Sequence, residues 1–154
     1  MGRLSERLAA LGLVLPEPPK AVAAYVPAVV AGTFCFTSGQ LPLHAGQLVA
    51  QGIVGQEVTV EQAQKAARQC ALNAISVAAQ AAGGLDRLAG VVKVVGFVQS
   101  ATDFHDQPQV INGASWLFEE IFEAQGRHAR SAVGTNALPL NASVEVECIF
   151  LLHA

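Results

Sequence analysis

Apolar residues recur along the chain in distinct rhythms, and each rhythm predicts an element. Leu4, Leu8 and Leu11 are spaced three or four residues apart, which predicts a short helix over 4–12 stopped by Gly12. The prolines of P-E-P-P at 16–19 forbid its continuation and read as an extended connector. The run A-V-V-A-G-T-F-C-F-T at 28–37 predicts a strand with Ser38-Gly39-Gln40 at its exit. A looser stretch follows over 41–57, punctuated by His44, Gly46, Gly52 and Gly55, and predicts a short strand at 48–51. From Thr59 to Ala82 the period is helical: Thr59 and Gln62 form a T-x-x-Q capping box, and Ala63, Ala67, Cys70, Ala74, Val77 and Ala81 make a small-residue stripe able to lie close to a sheet. Gly83-Gly84 ends that helix. V-V-K-V-V-G-F-V at 91–98 is too apolar for a half-exposed strand and predicts a central one, or one buried by a neighbouring subunit. Val110, Ala114, Leu117, Phe118 and Ile121 predict the buried face of a second long helix over 109–124, with Gly126 as its stop. A hairpin of strands 131–137 and 143–152 is predicted to close the chain.

This order of strand, helix, strand, helix, strand, strand predicts an α+β fold, a mixed sheet with both long helices on one face. The other face would be left open in a monomer. Composition agrees: the chain is 52% hydrophobic yet only 14% charged, and its mean hydropathy is +0.41. No apolar run reaches the ~18–20 residues of a membrane-spanning helix, so burial between subunits is the expected use of the surplus apolar surface. We read 1–20 as an N-terminal helical extension and connector, and 21–154 as a single domain. The net charge of −3 and nine scattered Lys and Arg residues argue against a nucleic-acid footprint. Cys35, Cys70 and Cys148 form no C-x-x-C pair. Their odd number, and the lack of a signal-peptide pattern, point to reduced, buried thiols in the cytoplasm.

Candidate chemistry concentrates near the end of the chain, at R-S-A-V-G-T-N-A-L-P-L-N-A-S-V-E-V-E (130–147). Arg130 offers a planar guanidinium that fits a carboxylate with two parallel hydrogen bonds; a surface ion pair at a strand edge is the structural alternative. Glu145 and Glu147 share one strand face, with Val144, Val146, Cys148 and Phe150 on the other. A partly buried carboxylate there could serve as an acid or base; the alternative is a solvated outer face. Ser38 does not sit in a G-x-S-x-G elbow, so it reads as a hydrogen-bonding or turn-capping residue rather than a nucleophile. Tyr25, the single tyrosine, could donate to a ligand or pack as a lid, and Asn112 could do likewise. Trp116 reads as a core or interface anchor. The four histidines have no metal-ligand spacing, so no metal site is assigned, and most read as surface residues.

Taken together, A-Y-V-P (24–27), F-T-S-G-Q-L-P (36–42), the Ala-rich helix ending A-A-G-G-L-D, V-V-K-V-V-G-F-V (91–98), H-A-R-S-A-V-G (128–134) and L-P-L-N-A-S-V-E-V-E (138–147) resemble the Rid family. That family is also called YjgF, reactive intermediate deaminase or L-PSP endoribonuclease-like. The resemblance covers about five-sixths of the chain. It implies a chorismate-mutase-like fold, a homotrimer whose sheets form a central barrel, and ligand clefts between subunits. It further implies hydrolysis of enamines and imines, such as 2-aminoacrylate, to 2-keto acids and ammonia without a cofactor. By matched position, Arg130 would bind the substrate carboxylate and Glu145 would position or activate water. Tyr25 and Ser38 would line the cleft, Asn112 would stand near its wall, and the backbone at Ala132 would hold the imine nitrogen or the water.

The chain departs from the pattern in several places. Ala132 stands where family deaminases commonly have Cys, His128-Ala129 replaces the usual Pro-Ala, and the 43–57 and 103–112 stretches are longer. These mark a divergent branch. A non-catalytic trimer that binds small carboxylates is the alternative reading. RNA cleavage is disfavoured by the acidic balance, and chorismate-mutase chemistry would rest on fold analogy alone.

Overall fold

The computed structural model describes residues 3–19 and 24–154. The expected boundary between extension and domain, at residues 20 and 21, falls outside them.

Five strands form the main sheet: β1 (Ala28–Ala31), β2 (Phe34–Thr37), β5 (Leu88–Gln99), β6 (Ala129–Thr135) and β7 (Val144–Leu152). Their order is β1-β2-β7-β5-β6. A two-stranded ribbon, β3 (Leu43–His44) with β4 (Gln47–Leu48), lies apart from it. Only β5 and β6 run parallel, joined by the crossover helix α3 (Gln107–Phe122); every other neighbour pair in the sheet is antiparallel. The sheet is therefore mixed; β7 holds its middle, and β5, expected to be central, is an interior strand paired on both sides next to the β6 edge.

Both long helices cover one face. In α2 (Val60–Ala82) the capping box forms as the sequence predicts: Thr59 Oγ1 accepts from the Gln62 amide, and Gln62 Oε1 accepts from the Thr59 amide. Gly83, at φ 86°, takes the left-handed conformation that ends the helix. Alanines on α2 are buried in two adjoining rows, which include Ala66, Ala71 and Ala78 beyond the predicted stripe; Ala81 is exposed. Their small size lets the backbones approach closely. Where α3 crosses, a Cβ on Gly113 would overlap the Gln64 carbonyl oxygen, so only glycine fits the crossing. Phe118, Phe122 and Phe150 pack as tilted and edge-on rings at 5.9–6.5 Å and fill the space between α3 and the sheet.

The N-terminal helix α1 (Leu4–Ala10) packs on the same core. Leu4 and Leu8 are buried within it, and the Ser5 amide and hydroxyl both donate to the Asp86 carboxylate at 2.9 Å. Burying the two leucines is worth roughly 1.5–3 kcal/mol each.

Three expectations about strands are corrected. The 28–37 run is two strands folded back at Gly32-Thr33, because Gly32 adopts a positive φ of 60° and turns the chain. The strand expected at 48–51 is instead the ribbon at 43–48, turned at Ala45-Gly46. The closing hairpin does not form. β6 pairs with one edge of β5 and β7 with the other, so β5 lies between them. The 136–143 link arches over the end of β5 and is held there by the Gln99 side chain, which donates to Asn141 Oδ1 and accepts from the Leu138 amide, both at 2.7 Å.

The face away from the helices is open. Phe34, Phe36 and Val133 are exposed on it, flanked by half-buried Val95, Phe97, Ile149 and Leu151. Trp116 is 51% exposed on the outer side of α3, so it is no core anchor. Among the described residues, no helix is long and apolar enough to cross a membrane.

Candidate functional site

The predicted site residues fall into two groups on opposite sides of the sheet. Arg130 is aligned with Val94 in the parallel β5–β6 pair, and Val94 is buried beneath the helices. Aligned residues on neighbouring strands share a face, so Arg130 points to the helix side. There α3 holds it: Nη1 donates to Asn112 Oδ1 at 2.8 Å and to Ser115 Oγ at 3.1 Å, while Nη2 donates to the Pro108 carbonyl at 3.3 Å. All three partners are neutral. Among the described residues, no carboxylate forms an ion pair with Arg130, and Nε–H and the second Nη2 proton have no partner. Those two donors remain for a further acceptor such as a carboxylate. Partial burial lowers the Arg130 pKa, although a guanidinium stays charged at any physiological pH. Asn112 thus touches the arginine itself. Ala132, two residues further along β6, lies on the same side beside Gly96 and packs against the core.

Sequence reasoning missed the support beneath this arginine. Ser115 Oγ lies 2.9 Å from His128 Nε2, and His128 Nδ1 lies 2.6 Å from the Gly126 carbonyl. A carbonyl only accepts, so Nδ1 carries the proton. Nε2 then accepts from the Ser115 hydroxyl, which leaves the Ser115 oxygen to accept from Arg130. Burial is the main cause that lowers the His128 pKa, with the Arg130 charge acting in the same direction; the Gly126 carbonyl and Glu119 oppose them. The ring also stands edge-on to Phe118 at 5.8 Å. Expected to be a surface residue, His128 is in fact the base of a chain running His128, Ser115, Arg130, Asn112. The signals were present as spacing: N-x-x-S puts Asn112 and Ser115 on one helix face, and H-x-R puts His128 and Arg130 on one strand face.

Glu145 stands in the second group. It pairs with Phe97 and points to the open face. Its carboxylate lies against Gly39, where a Cβ would overlap Oε1. Burial first, and the Glu147 charge second, raise its pKa. Gly39 can sit there because the β2 pairing slips beyond Phe36: the Cys148 amide donates to Thr37 Oγ1 at 3.0 Å, and Gln40 picks up Val146. The Ser38 hydroxyl donates to the Val26 carbonyl at 2.7 Å. Its proton is thereby occupied in tethering the Tyr25–Pro27 segment, which fits a positioning role. Tyr25 is 63% exposed beside this tether. Glu147 lines a separate cavity of about 280 Å³ with Phe36, Lys93 and Val95.

The remaining candidates do not join either group. His44, His105 and His153 are exposed, and no cluster of three or more His, Cys, Asp or Glu residues capable of holding a metal occurs among the described residues. All three cysteines are buried and unpaired. Burial raises each thiol pKa, and Cys70 is raised further by Glu145 and Cys148 by Glu147, the opposite of an activated nucleophile.

The chain is similar over almost its whole length to known proteins. Protein TCP17 of Trypanosoma cruzi is 42% identical over 153 residues, covering 99% of this chain and 96% of that one. The crystal structure of Atu1372 from Agrobacterium tumefaciens, a protein of unknown function, superposes with a TM-score of 0.89 at 42% identity, covering 97% of this chain and 93% of the other. Escherichia coli TdcF, solved with bound serine, superposes with a TM-score of 0.65 at 25% identity, covering 91% and 98%. Residues 5–153 match the family described as "YjgF/chorismate_mutase-like, putative endoribonuclease". With that match, and with the sheet and helices of its solved relatives, the chain belongs to the YjgF/chorismate-mutase-like family.

Proposed function

We propose that the protein hydrolyses small imino acids, and the enamines that tautomerise to them, to 2-keto acids and ammonia, without a cofactor. The observation that carries this reading is Arg130: a half-buried cation fixed by neutral acceptors, with Nε–H and one Nη2 proton left for a carboxylate. A relative solved with an amino acid bound supports a ligand of this size and charge.

In the proposed reaction Arg130 holds the substrate carboxylate and so orients the adjacent C=N carbon. Glu145 takes a proton from water as the water oxygen bonds to the carbon of the protonated imine, which gives a neutral carbinolamine. Glu145 then passes that proton to nitrogen. The C–N bond breaks, ammonia leaves, and the hydroxyl proton returns to the Glu145 carboxylate as the keto group forms. A carboxyl group with a raised pKa suits both halves of this transfer. Imines hydrolyse readily in water, so orientation and one general base supply enough acceleration.

Arg130 and Glu145 lie on opposite faces of the sheet within one chain, so one small substrate meets both only if two copies contribute. The open apolar face supports such an assembly, and we take the homotrimer as its form. Tyr25, Ser38 and Gly39 then line the Glu145 side of the cleft, with Asn112 and Ala132 on the Arg130 side.

The test is keto-acid formation from 2-aminoacrylate generated in situ, with wild-type protein and Arg130→Ala. Acceleration lost in the variant is expected. Tight binding of 2-keto acids with no acceleration over solvent would replace this reading with that of a carboxylate-binding module.

A further inference from the structure

Beside the Glu145 group lies a chamber that a three-carbon imine does not need. It measures about 590 Å³, and Gly39, which lies against Glu145, forms part of its lining together with Tyr25. One wall is the proline connector, Pro16 and Pro19. The other is the segment from Leu41 through Leu43 into the β3–β4 turn.

Both walls hang from the same turn of α2. Ser76 Oγ donates to the Pro16 carbonyl at 2.5 Å, and Asn73 Nδ2 donates to the Leu41 and Leu43 carbonyls at 2.9 and 3.0 Å. Gln69 Nε2 completes the set by donating to Asn73 Oδ1 at 3.0 Å. Asn73 and Ser76 are both buried, three residues apart and therefore on one helix face. Two polar residues placed inside an otherwise alanine-rich helix are thus used to suspend the two backbone segments that bound the chamber. Its shape is set before any ligand arrives, and pre-set shape is what gives a pocket selectivity.

The chemistry of the walls names the occupant. Proline rings, leucine side chains and the Tyr25 ring offer most of the contact; Glu17 and His44 also line the chamber but are exposed to solvent, and the amides of Gln40 and Asn73 already donate to carbonyls. A volume near 590 Å³ lies in the range of about 300–1,000 Å³ that encloses a ligand with a substantial apolar body. We infer that this chamber receives the side chain of the substrate, and that the natural substrates are imino acids with aromatic or branched aliphatic side chains rather than 2-aminoacrylate. This inference rests on the deaminase reading for its carboxylate clamp, and goes beyond it in naming the substrate class.

The test is calorimetric binding of pyruvate, 4-methyl-2-oxopentanoate and phenylpyruvate to the wild-type protein, Leu43→Trp and Ser76→Ala. Leu43 is exposed and lines the chamber, so a larger ring there narrows it without disturbing the core. The expected result is an affinity that rises roughly tenfold or more from pyruvate to the bulky acids. Leu43→Trp should abolish that rise and leave pyruvate binding unchanged. Ser76→Ala, which frees the proline wall, should weaken only the bulky ligands. Equal affinity for all three acids, or a rise that survives Leu43→Trp in a variant that melts like the wild type, overturns the inference. So does binding of the bulky acids that is indifferent to Arg130→Ala, because the chamber and the clamp would then serve different ligands. Turnover of 2-aminoacrylate, measured in parallel, reports on the deaminase reading separately: its presence with flat keto-acid affinities sinks only the chamber.

Discussion

The edge of the sheet around Arg130 and the open face around Glu145 are complementary halves. At the edge, a cation is surrounded by neutral acceptors, and its charge has no carboxylate partner among the described residues. On the open face, a carboxylate is crowded by burial and by a second carboxylate, so its pKa rises. Each half carries the instability that the other, or a ligand, would relieve. The edge is also locked by a chain of hydrogen bonds reaching back to Gly126, whereas Glu145 is aimed by close contact with a glycine. A clamp must be rigid to orient its substrate. A base must move a proton, and needs only proximity.

The sharpest test of this complementarity mixes subunits. Arg130→Ala and Glu145→Gln should each lower kcat/KM on the order of a hundredfold or more. Unfolded together in equal amounts and refolded, they should recover about a quarter of wild-type activity, since one interface in four would hold an intact arginine facing an intact glutamate. No recovery in refolded oligomers would mean that the two halves do not meet across an interface.

Gly39→Ala should have the next largest effect. The new Cβ displaces the flexible end of Glu145, so kcat should fall about tenfold while the melting temperature moves by no more than a few degrees. Loss of stability in proportion to activity would make Gly39 a structural residue only.

His128→Gln probes the rigid half. Losing the support of Ser115 should raise KM several-fold more than it lowers kcat, because orientation of the carboxylate clamp is what suffers. The variant should also change the acid limb of stability. The folded His128 pKa is lowered from 6.5, so the unfolded chain binds the extra proton first. The associated stability is complete above pH 6.5 and is lost as pH falls through the folded value. Glutamine should flatten that slope in melting curves taken from pH 7.5 to 5. An unchanged slope would remove His128 from the account.

The smallest effect expected is a gain. The folded Glu145 pKa is raised, so the folded state favours the protonated form, and its ionisation at neutral pH works against folding. Glu145→Gln should therefore raise the melting temperature by a degree or two at pH 7. The gain should shrink as pH falls below the folded pKa and disappear below the ordinary carboxylate value of 4.5. Destabilisation at pH 7 would show instead that Glu145 is favourably paired in the assembled protein.

Much of this was legible in the chain. The capping box at Thr59–Gln62, the apolar strand β5, the buried face of α3 and the alternation that separates Glu145 and Glu147 from Val144 and Val146 follow from periods of 3.6 and 2, which are local rules. The two spacings that gather Asn112, Ser115, His128 and Arg130 were equally local, but each is common enough to signify nothing until α3 is known to lie over β6.

What the sequence alone determined, then, is which residues form each element and which face each side chain takes. Tertiary structure decided which strands are neighbours. An eight-residue link such as 136–143 can turn back on its own strand or step over another, and its composition does not distinguish the two. The crossover through α3 gives β6 one edge of β5, β7 takes the other, and Gln99 ties the link across the gap. That choice set Arg130 and Glu145 on opposite faces of one sheet. Strand pairing is a non-local competition among all available edges, and no local pattern of hydrophobic and polar residues encodes its outcome.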